Sequence, residues 1–383
     1  MGIFFNTNFL INSHDPKTIQ YKKILRENEV RKSMKAARVI TPKKQLEIKE
    51  IKTPIPKGRQ VLIKIESAGV CHSDIHVWEG GYEGVKGEIM KVEDRGVKFP
   101  LTLGHEIAGI VESLGNDVKQ VKKGERVIVY PWQGDGICDA CQVGDEHVCD
   151  HPKSLGIMQD GGYAEKVLVS DEKYLVKVGN MDPNIVSSLA CSGLTAYTAV
   201  KNAKISPKQT MVIIGAGGLG LTAVQIARVL LNPTIIVIDI DDERLEEAKK
   251  LGADYVINSK SDDPVHHVKD ITDNLGADSV IDFVNGPMTV KPALDMLKKR
   301  GKLVLVGLFG GSIELNLPLL PLKSQTIIGS YTGRLADLVD LVSLVKRGAI
   351  NPVISKTFKL KDANNALEQL KSGKIIGRAV INP

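Results

Sequence analysis

An α/β protein of two domains, a compact β-barrel-like unit followed by a doubly wound parallel sheet, is what three observations predict. The chain has 383 residues, more than one hydrophobic core usually serves. Its first part carries short β-rich runs cut by Gly and Pro, and from about Val212 to Ser330 the rhythm changes to strand, helix, strand. A glycine loop, Gly215-Ala216-Gly217-Gly218-Leu219-Gly220, opens that second part between an apolar run and a helical one.

Composition narrows the function classes. A net charge of +6 is spread, with Lys and Arg alternating with Asp and Glu, so it reads as a solvated surface with no nucleic-acid or membrane patch. Five cysteines, an odd number without a secretory signal, argue against a disulfide framework and for a reducing compartment. The most apolar stretch, Val212 to Leu231, contains Gln225, Arg228 and four glycines, and suits strand, turn and soluble helix better than a membrane span. A cytoplasmic enzyme is the expectation.

Taken in order, residues 1–33 stand apart as an extension whose IQYKKILRENEVRKS stretch predicts one amphipathic helix, with Met34 a candidate start site. Residues 34–188 form the barrel-like unit, with strands expected at Val61–Ile65, Ile107–Val111, Arg126–Tyr130 and Glu165–Val169. Residues 189–333 form the parallel-sheet unit. Strands are expected there at Met211–Ile214, Ile235–Asp239, Tyr255–Ile257, Ser279–Phe283, Leu303–Val306 and Thr326–Ile328, and helices at Asp241–Leu251 and Met288–Lys299. Residues 334–383 supply helix Leu335–Lys346, strand Thr357–Leu360, helix Ala363–Leu370 and strand Arg378–Ile381, a segment expected to return to the first unit.

Three constellations carry chemistry. In the glycine loop, Gly215 permits the tight turn, Gly217 lets backbone approach a pyrophosphate, Gly220 lets helix and strand pack closely, and the helix N-terminus faces the phosphates. Asp239 ends the next strand where it can accept from a ribose diol, which favours NAD; Arg244 leaves room for NADP. Gly218, Leu219, Val306 and Gly307 complete the cofactor-binding candidates. The bland reading is a structural turn.

The second constellation is Cys138, Cys141 and Cys149, a C-x-x-C in a Gly-rich loop with a third thiol eight residues on. A tetrahedral structural zinc wants four ligands, and Asp135, His147 and His151 compete for the fourth place. A redox pair would normally open a helix near a βαβ unit. The third is Cys71, His105 and Cys191, which supply the three ligands a catalytic zinc needs beside one open position. Each alone reads equally as core.

Together, GVCHSDIH, LGHEIAG, the Cys138/Cys141/Cys149 loop, CSGLTAYTAV and GAGGLG, in this order, resemble the zinc-dependent medium-chain alcohol dehydrogenases over Met34 to Pro383. PWQGDGICDAC is similar to the loop of the archaeal type, in which an acid replaces one structural cysteine. There the acid is usually Glu; here it is the shorter Asp135.

The resemblance implies a GroES-like catalytic domain, a Rossmann cofactor domain and two zinc ions per chain. It implies Cys71, His105 and Cys191 at the catalytic zinc, with Glu106 a conditional ligand paired with Arg378. It implies Asp74 behind the zinc-bound imidazole, Ser73 and His76 as proton relay, Asp135 with the three loop cysteines at the structural zinc, and Trp132 in the substrate pocket. NAD, a small alcohol or aldehyde, and a homodimer or homotetramer follow as expected cofactor and partners. Two rivals remain at this stage: a semialdehyde reductase using NAD(P)H and anchoring its substrate through Arg334, and a non-catalytic NAD-binding protein on the same fold.

Overall fold

The computed structural model describes residues 33–383, so the amphipathic helix expected within residues 1–33 lies outside the described residues. Strands β1 (Ser33–Val39), β2 (Glu47–Lys52) and β3 (Val61–Val70) lead into helix α1 (His72–Glu79). Next come the hairpin of β4 (Gly81–Glu83) with β5 (Ile89–Lys91), then β6 (Leu101–Thr102), β7 (Glu106–Leu114), β8 (Arg126–Val129), β9 (Lys166–Val169) and β10 (Leu175–Lys177). A π-helical turn, Leu189–Gly193, precedes α2 (Leu194–Ala203).

The alternation that follows is β11 (Thr210–Ile214), α3 (Gly218–Leu230), β12 (Thr234–Asp239), α4 (Asp242–Lys250), β13 (Tyr255–Asn258), β14 (Ala277–Asp282), α5 (Pro287–Met296), β15 (Leu297–Leu305) and β16 (Thr326–Gly329). The chain closes with α6 (Leu335–Lys346), β17 (Ile354–Lys359), α7 (Ala363–Lys371) and β18 (Arg378–Asn382).

Two sheets position the site. The parallel one runs β13-β12-β11-β14-β15-β16, so strand order reverses between β11 and β14, and the glycine loop sits at the carboxyl end of β11, at this switch point. Its central strands are nearly all apolar because both faces are covered: Met211 to Ile214 and Ile235 to Ile238 are buried throughout. The stretch from Val212 to Leu231 divides into β11 and α3, and no helix among the described residues is long and apolar enough to cross a membrane.

The other sheet runs β10-β8-β7-β3-β18-β17, with β9 also on β3. The C-terminal strand β18 lies antiparallel to β3, pairing Ala379 with Val70 and Ile381 with Ala68. That pairing carries Arg378 back beside residues more than 270 positions earlier.

Two element ends differ from expectation. Helix α5 stops at Met296, three residues before Lys299, because Leu297 already pairs with Ala277 in the parallel sheet and Arg300 turns the chain in the left-handed region (φ 65°) before Gly301. Strand β17 begins at Ile354, earlier than Thr357, since Ile354 already pairs with Arg378.

Candidate functional site

The side chains of Cys71, His105, Glu106 and Cys191 converge in the interior, each offering a donor atom, all four within 4.8 Å of one another. Separate elements bring them there. Cys71 caps the start of α1, so Ser73 and His76 stand on helix and not in a loop. His105 immediately precedes β7, which Glu106 begins, and Cys191 occupies the π-helical turn, an irregularity that recurs at functional sites.

Asp74 holds this arrangement. Its Oδ2 accepts from the Cys71 backbone N–H (3.0 Å) and from the Tyr163 hydroxyl (2.8 Å), and its Oδ1 accepts from Gly104 N–H (3.3 Å) and faces His105 Nδ1 at 3.1 Å. A proton on Nδ1 donated to Asp74 leaves Nε2 as a lone-pair donor, and His105 Nε2 is buried without a hydrogen-bond partner among the described residues. Burial opposes charge on His105, yet the Asp74 carboxylate and the Cys71 sulfur hold its pKa well above the usual imidazole range, so a metal ion at Nε2 would take the place of a proton there.

Glu106 lies across β3. A methyl group at Gly69 would stand 1.9 Å from its Oε2, so only glycine leaves room for this carboxylate. Glu106 Oε1 accepts from Ser192 N–H (3.0 Å) and pairs with the buried Arg378 guanidinium; its Oε2 has no hydrogen-bond partner among the described residues. Burial pushes the Glu106 pKa up against the pull of Arg378.

The quartet fits a zinc ion. Two thiols, an unpartnered imidazole nitrogen and a carboxylate with one unpartnered oxygen are the donors such an ion takes, and a tetrahedral shell would set them roughly 3.5 Å apart.

A second quartet, Asp135, Cys138, Cys141 and Cys149, also has its donor atoms within 4.8 Å of one another, whereas His147 and His151 belong to neither group. Asp135 Oδ1 accepts from Ile137 N–H (2.8 Å) and Cys138 N–H (3.0 Å), and its Oδ2 is buried and unpartnered among the described residues. The Cys149 sulfur accepts from Asp135 N–H and His151 N–H, both at 3.3 Å. Desolvation pushes the Cys141 thiol up to about 12 without an ion to share its charge. A methyl group at Gly134 would stand 2.4 Å from the Cys141 sulfur. These donors fit a closed structural zinc, and the five cysteines are free thiols.

In the glycine loop, Gly215 is left-handed (φ 94°) and a methyl at Gly220 would stand 1.8 Å from the Gly215 carbonyl oxygen, whereas one at Gly217 would meet nothing within 4 Å. This leaves an open cradle at the N-terminus of α3, which no side chain caps. Gly218 has a different neighbour: a methyl there would stand 2.2 Å from Arg378 Cδ. Leu219, on the first turn of α3, packs half-buried against the core.

Asp239 accepts from Ala216 N–H (2.6 Å) and Ile240 N–H (2.7 Å), which binds it to the loop. Arg244 donates to the Gly373 carbonyl oxygen (2.8 Å). Val306 and Gly307 N–H both donate to Asp282 O at the end of β15, beside the switch point.

Ser73 and His76 lie three residues apart on α1, hence on one face, and the His76 ring is tilted against that of Tyr82, centres 4.6 Å apart. Burial lowers the His76 pKa from 6.5. The buried Trp132 donates its indole N–H to Ala190 O (3.1 Å), and its ring centre lies 5.4 Å from that of His105. Arg334, weighed as an anion anchor, is engaged in a two-pronged pair with Asp145 (2.5 and 2.8 Å). Sequence reasoning missed Gly69 and Tyr163. A glycine near the end of β3, two residues before Cys71, was the available signal for the first, and Tyr163 carried none.

A cysteine-rich donor set beside the switch point of a dinucleotide-type sheet defines a metal-dependent, dinucleotide-using oxidoreductase. Comparison specifies the class further. Residues 57–180 match the family model of the alcohol dehydrogenase GroES-like domain, and residues 218–347 that of zinc-binding dehydrogenase. The chain belongs to the zinc-dependent alcohol dehydrogenase family, in its archaeal form.

The NAD-dependent alcohol dehydrogenase of Sulfurisphaera tokodaii is 47% identical over 351 residues, 91% of this chain and 100% of that protein. Its counterpart from Saccharolobus solfataricus is 45% identical, with 91% and 100% covered. The crystal structure of the alcohol dehydrogenase from the hyperthermophilic archaeon Aeropyrum pernix is similar with a TM-score of 0.84 at 34% identity, over 91% of this chain and 100% of that one.

Proposed function

We propose that the chain interconverts alcohols with aldehydes or ketones by transferring a hydride to or from NAD(H), with one zinc held by Cys71, His105 and Cys191 and a second by Asp135, Cys138, Cys141 and Cys149. The observation that carries this reading is the unpartnered His105 Nε2 among two thiols and a carboxylate, next to the glycine loop that Arg378 touches. The non-catalytic reading leaves that donor set without a purpose. The semialdehyde reading loses its anchor to the Arg334–Asp145 pair.

Zinc, when bound, supplies a Lewis acid for the substrate oxygen. The chain supplies the rest. Asp74 keeps the His105 proton on Nδ1 and so frees Nε2 for the metal. Arg378 balances Glu106, which is near enough to compete for a coordination place. The Ser73 hydroxyl accepts the alcohol proton as it gives up its own, and His76 is the base at which the relayed proton leaves for solvent, its lowered pKa keeping the imidazole neutral and able to accept at neutral pH. Trp132 closes one side of the substrate cavity and excludes water. Gly215 to Gly220, Asp239, Val306 and Gly307 bind the dinucleotide, and Asp239 favours NAD over NADP.

The organisation proposed with this function is a catalytic domain at 34–188, a cofactor domain at 189–333 and a returning segment at 334–383, supported by the β18–β3 pairing. A homodimer or homotetramer is supported by exposed Phe309, Leu317 and Leu322 between β15 and the open sheet edge at β16. A cytoplasmic place follows from five free thiols. The test is a zinc assay on the purified protein together with NADH and NADPH formation across primary and secondary alcohols. Two zinc per chain and NAD-linked turnover are expected; turnover that persists in Cys71→Ala would sink the reading.

A further inference from the structure

The segment from Ser330 to Arg334 links β16 to α6 and brings Tyr331 to the Trp132 ring beside His105. Tyr331 stands edge-on to Trp132, ring centres 5.7 Å apart, and the other face of that contact chain is the His105 ring. Burial first, then the neighbouring Tyr82 phenol and the Cys191 and Cys71 sulfurs, hold the Tyr331 phenol neutral. Even so, 43% of Tyr331 is exposed, so its ring is a wall facing open space and not a piece of core.

The backbone behind it is strained and held from outside. Thr332, a buried β-branched residue, sits in the left-handed region (φ 42°) with its hydroxyl unpartnered among the described residues. A methyl at Gly333 would stand 2.2 Å from Thr198 Oγ1, so the chain lies directly on α2, the helix that continues from Cys191. Two contacts then fasten it to the first half of the chain. The Tyr130 hydroxyl donates to Gly333 O (2.7 Å), and the Arg334 guanidinium grips Asp145, which lies between Cys141 and Cys149 in the loop of the second quartet.

We propose that Tyr331 is a specificity-determining wall of the substrate cavity, turning away alcohols with bulk beside the reacting carbon, and that the Asp145–Arg334 pair is a positioning contact that sets where this wall stands. The proposal rests on the alcohol dehydrogenase reading above. It gives the cysteine loop a part in selectivity, exerted through Asp145, and gives Arg334 a role other than binding an anion. The local strain at Thr332 is the reason such a clamp matters: a segment that would relax on its own keeps its place only while its surroundings fix it.

The test uses the full-length, metal-loaded protein and two alcohols, ethanol and cyclohexanol. Tyr331→Ala is expected to raise the ratio of kcat/KM for cyclohexanol to that for ethanol by about tenfold or more, the scale of a pocket enlarged by several carbons. Arg334→Gln and the isosteric Asp145→Asn are each expected to shift the same ratio in the same direction by about threefold, through KM more than kcat. The charge-swapped pair Asp145→Arg with Arg334→Asp is expected to return it towards the wild-type value.

In the metal-free protein with Trp78→Phe, acrylamide quenching of Trp132 is expected to rise in Arg334→Gln. A ratio that stays within about twofold in Tyr331→Ala overturns the wall. Equal loss on both alcohols in the Arg334 and Asp145 variants, or unchanged Trp132 quenching, overturns the positioning contact. Absence of NAD-linked turnover in the wild-type protein overturns instead the reading on which the proposal stands, and the proposal with it.

Discussion

The two quartets use similar donors and are built in opposite ways. Asp135, Cys138, Cys141 and Cys149 come from fifteen consecutive residues and are partly exposed, and much of their support is local backbone N–H. Cys71, His105, Glu106 and Cys191 span 121 positions, are fully buried, and are held by side chains that are themselves held: Asp74 by Tyr163, Glu106 by Arg378. A local site can assemble as soon as its loop meets an ion; the other exists only once the fold is complete. The first therefore suits stability and the second chemistry, which needs donors fixed against a substrate.

Breaking a buried ligand should have the largest effect. Cys71→Ser is expected to lower kcat/KM by at least about 1000-fold, the several kcal/mol of charge stabilisation a metal supplies, with one zinc lost per chain by elemental analysis. Retention of activity would erase the contrast between the sites. Asp74→Asn leaves the ligands in place and removes the carboxylate behind His105; metal affinity or kcat should fall by about 10–100-fold, read by zinc competition with a chromophoric chelator.

The proton path is a smaller matter. His76 titrates below 6.5 because burial disfavours its charged form, so alcohol oxidation should hold above that pH and fall as pH drops through the lowered value. The same shift places any stability it contributes above pH 6.5, lost on acidification. His76→Gln should abolish that acid limb and cost about tenfold in kcat, below the ~100-fold usual for a general base because water can substitute.

At the loop quartet, Asp135→Glu should change kcat less than about twofold, whereas Cys141→Ala should lower Tm by roughly 10 °C. In a timed chelation series the loop metal is expected to leave first; simultaneous release would remove the distinction drawn from burial.

The same contrast explains what could be read from the sequence. The three loop cysteines are visible because their spacing is local, whereas spacing left Asp135, His147 and His151 open for the fourth place; the fold brings an Asp135 oxygen within 4.8 Å of the thiol sulfurs, and neither imidazole joins them. The glycine loop was legible for the same reason. The buried quartet is different. Cys71, His105 and Cys191 each read as core when taken alone; the number of ligands a catalytic zinc needs grouped them, and only resemblance to a family set that grouping above the core reading. What the sequence hid was the support: that Gly69 is empty so that Glu106 can lie across β3, and that Tyr163 reaches Asp74 from 89 positions away. Such contacts have no local period or spacing, since they are made by strand register and not by the chain's immediate neighbours.

Arg378 touches two of these systems at once. Its carbons rest on Gly218 at the start of α3 while its guanidinium pairs with Glu106 at the donor quartet, so one side chain sits between the two binding events. If the dinucleotide and the metal bind as proposed, a position shared in this way is expected to couple their affinities, and thermodynamic reciprocity requires the factor to be the same in both directions. NAD affinity measured with zinc bound and with zinc removed is therefore expected to differ, and equal affinity in the two forms would show that Arg378 transmits nothing between the proposed sites.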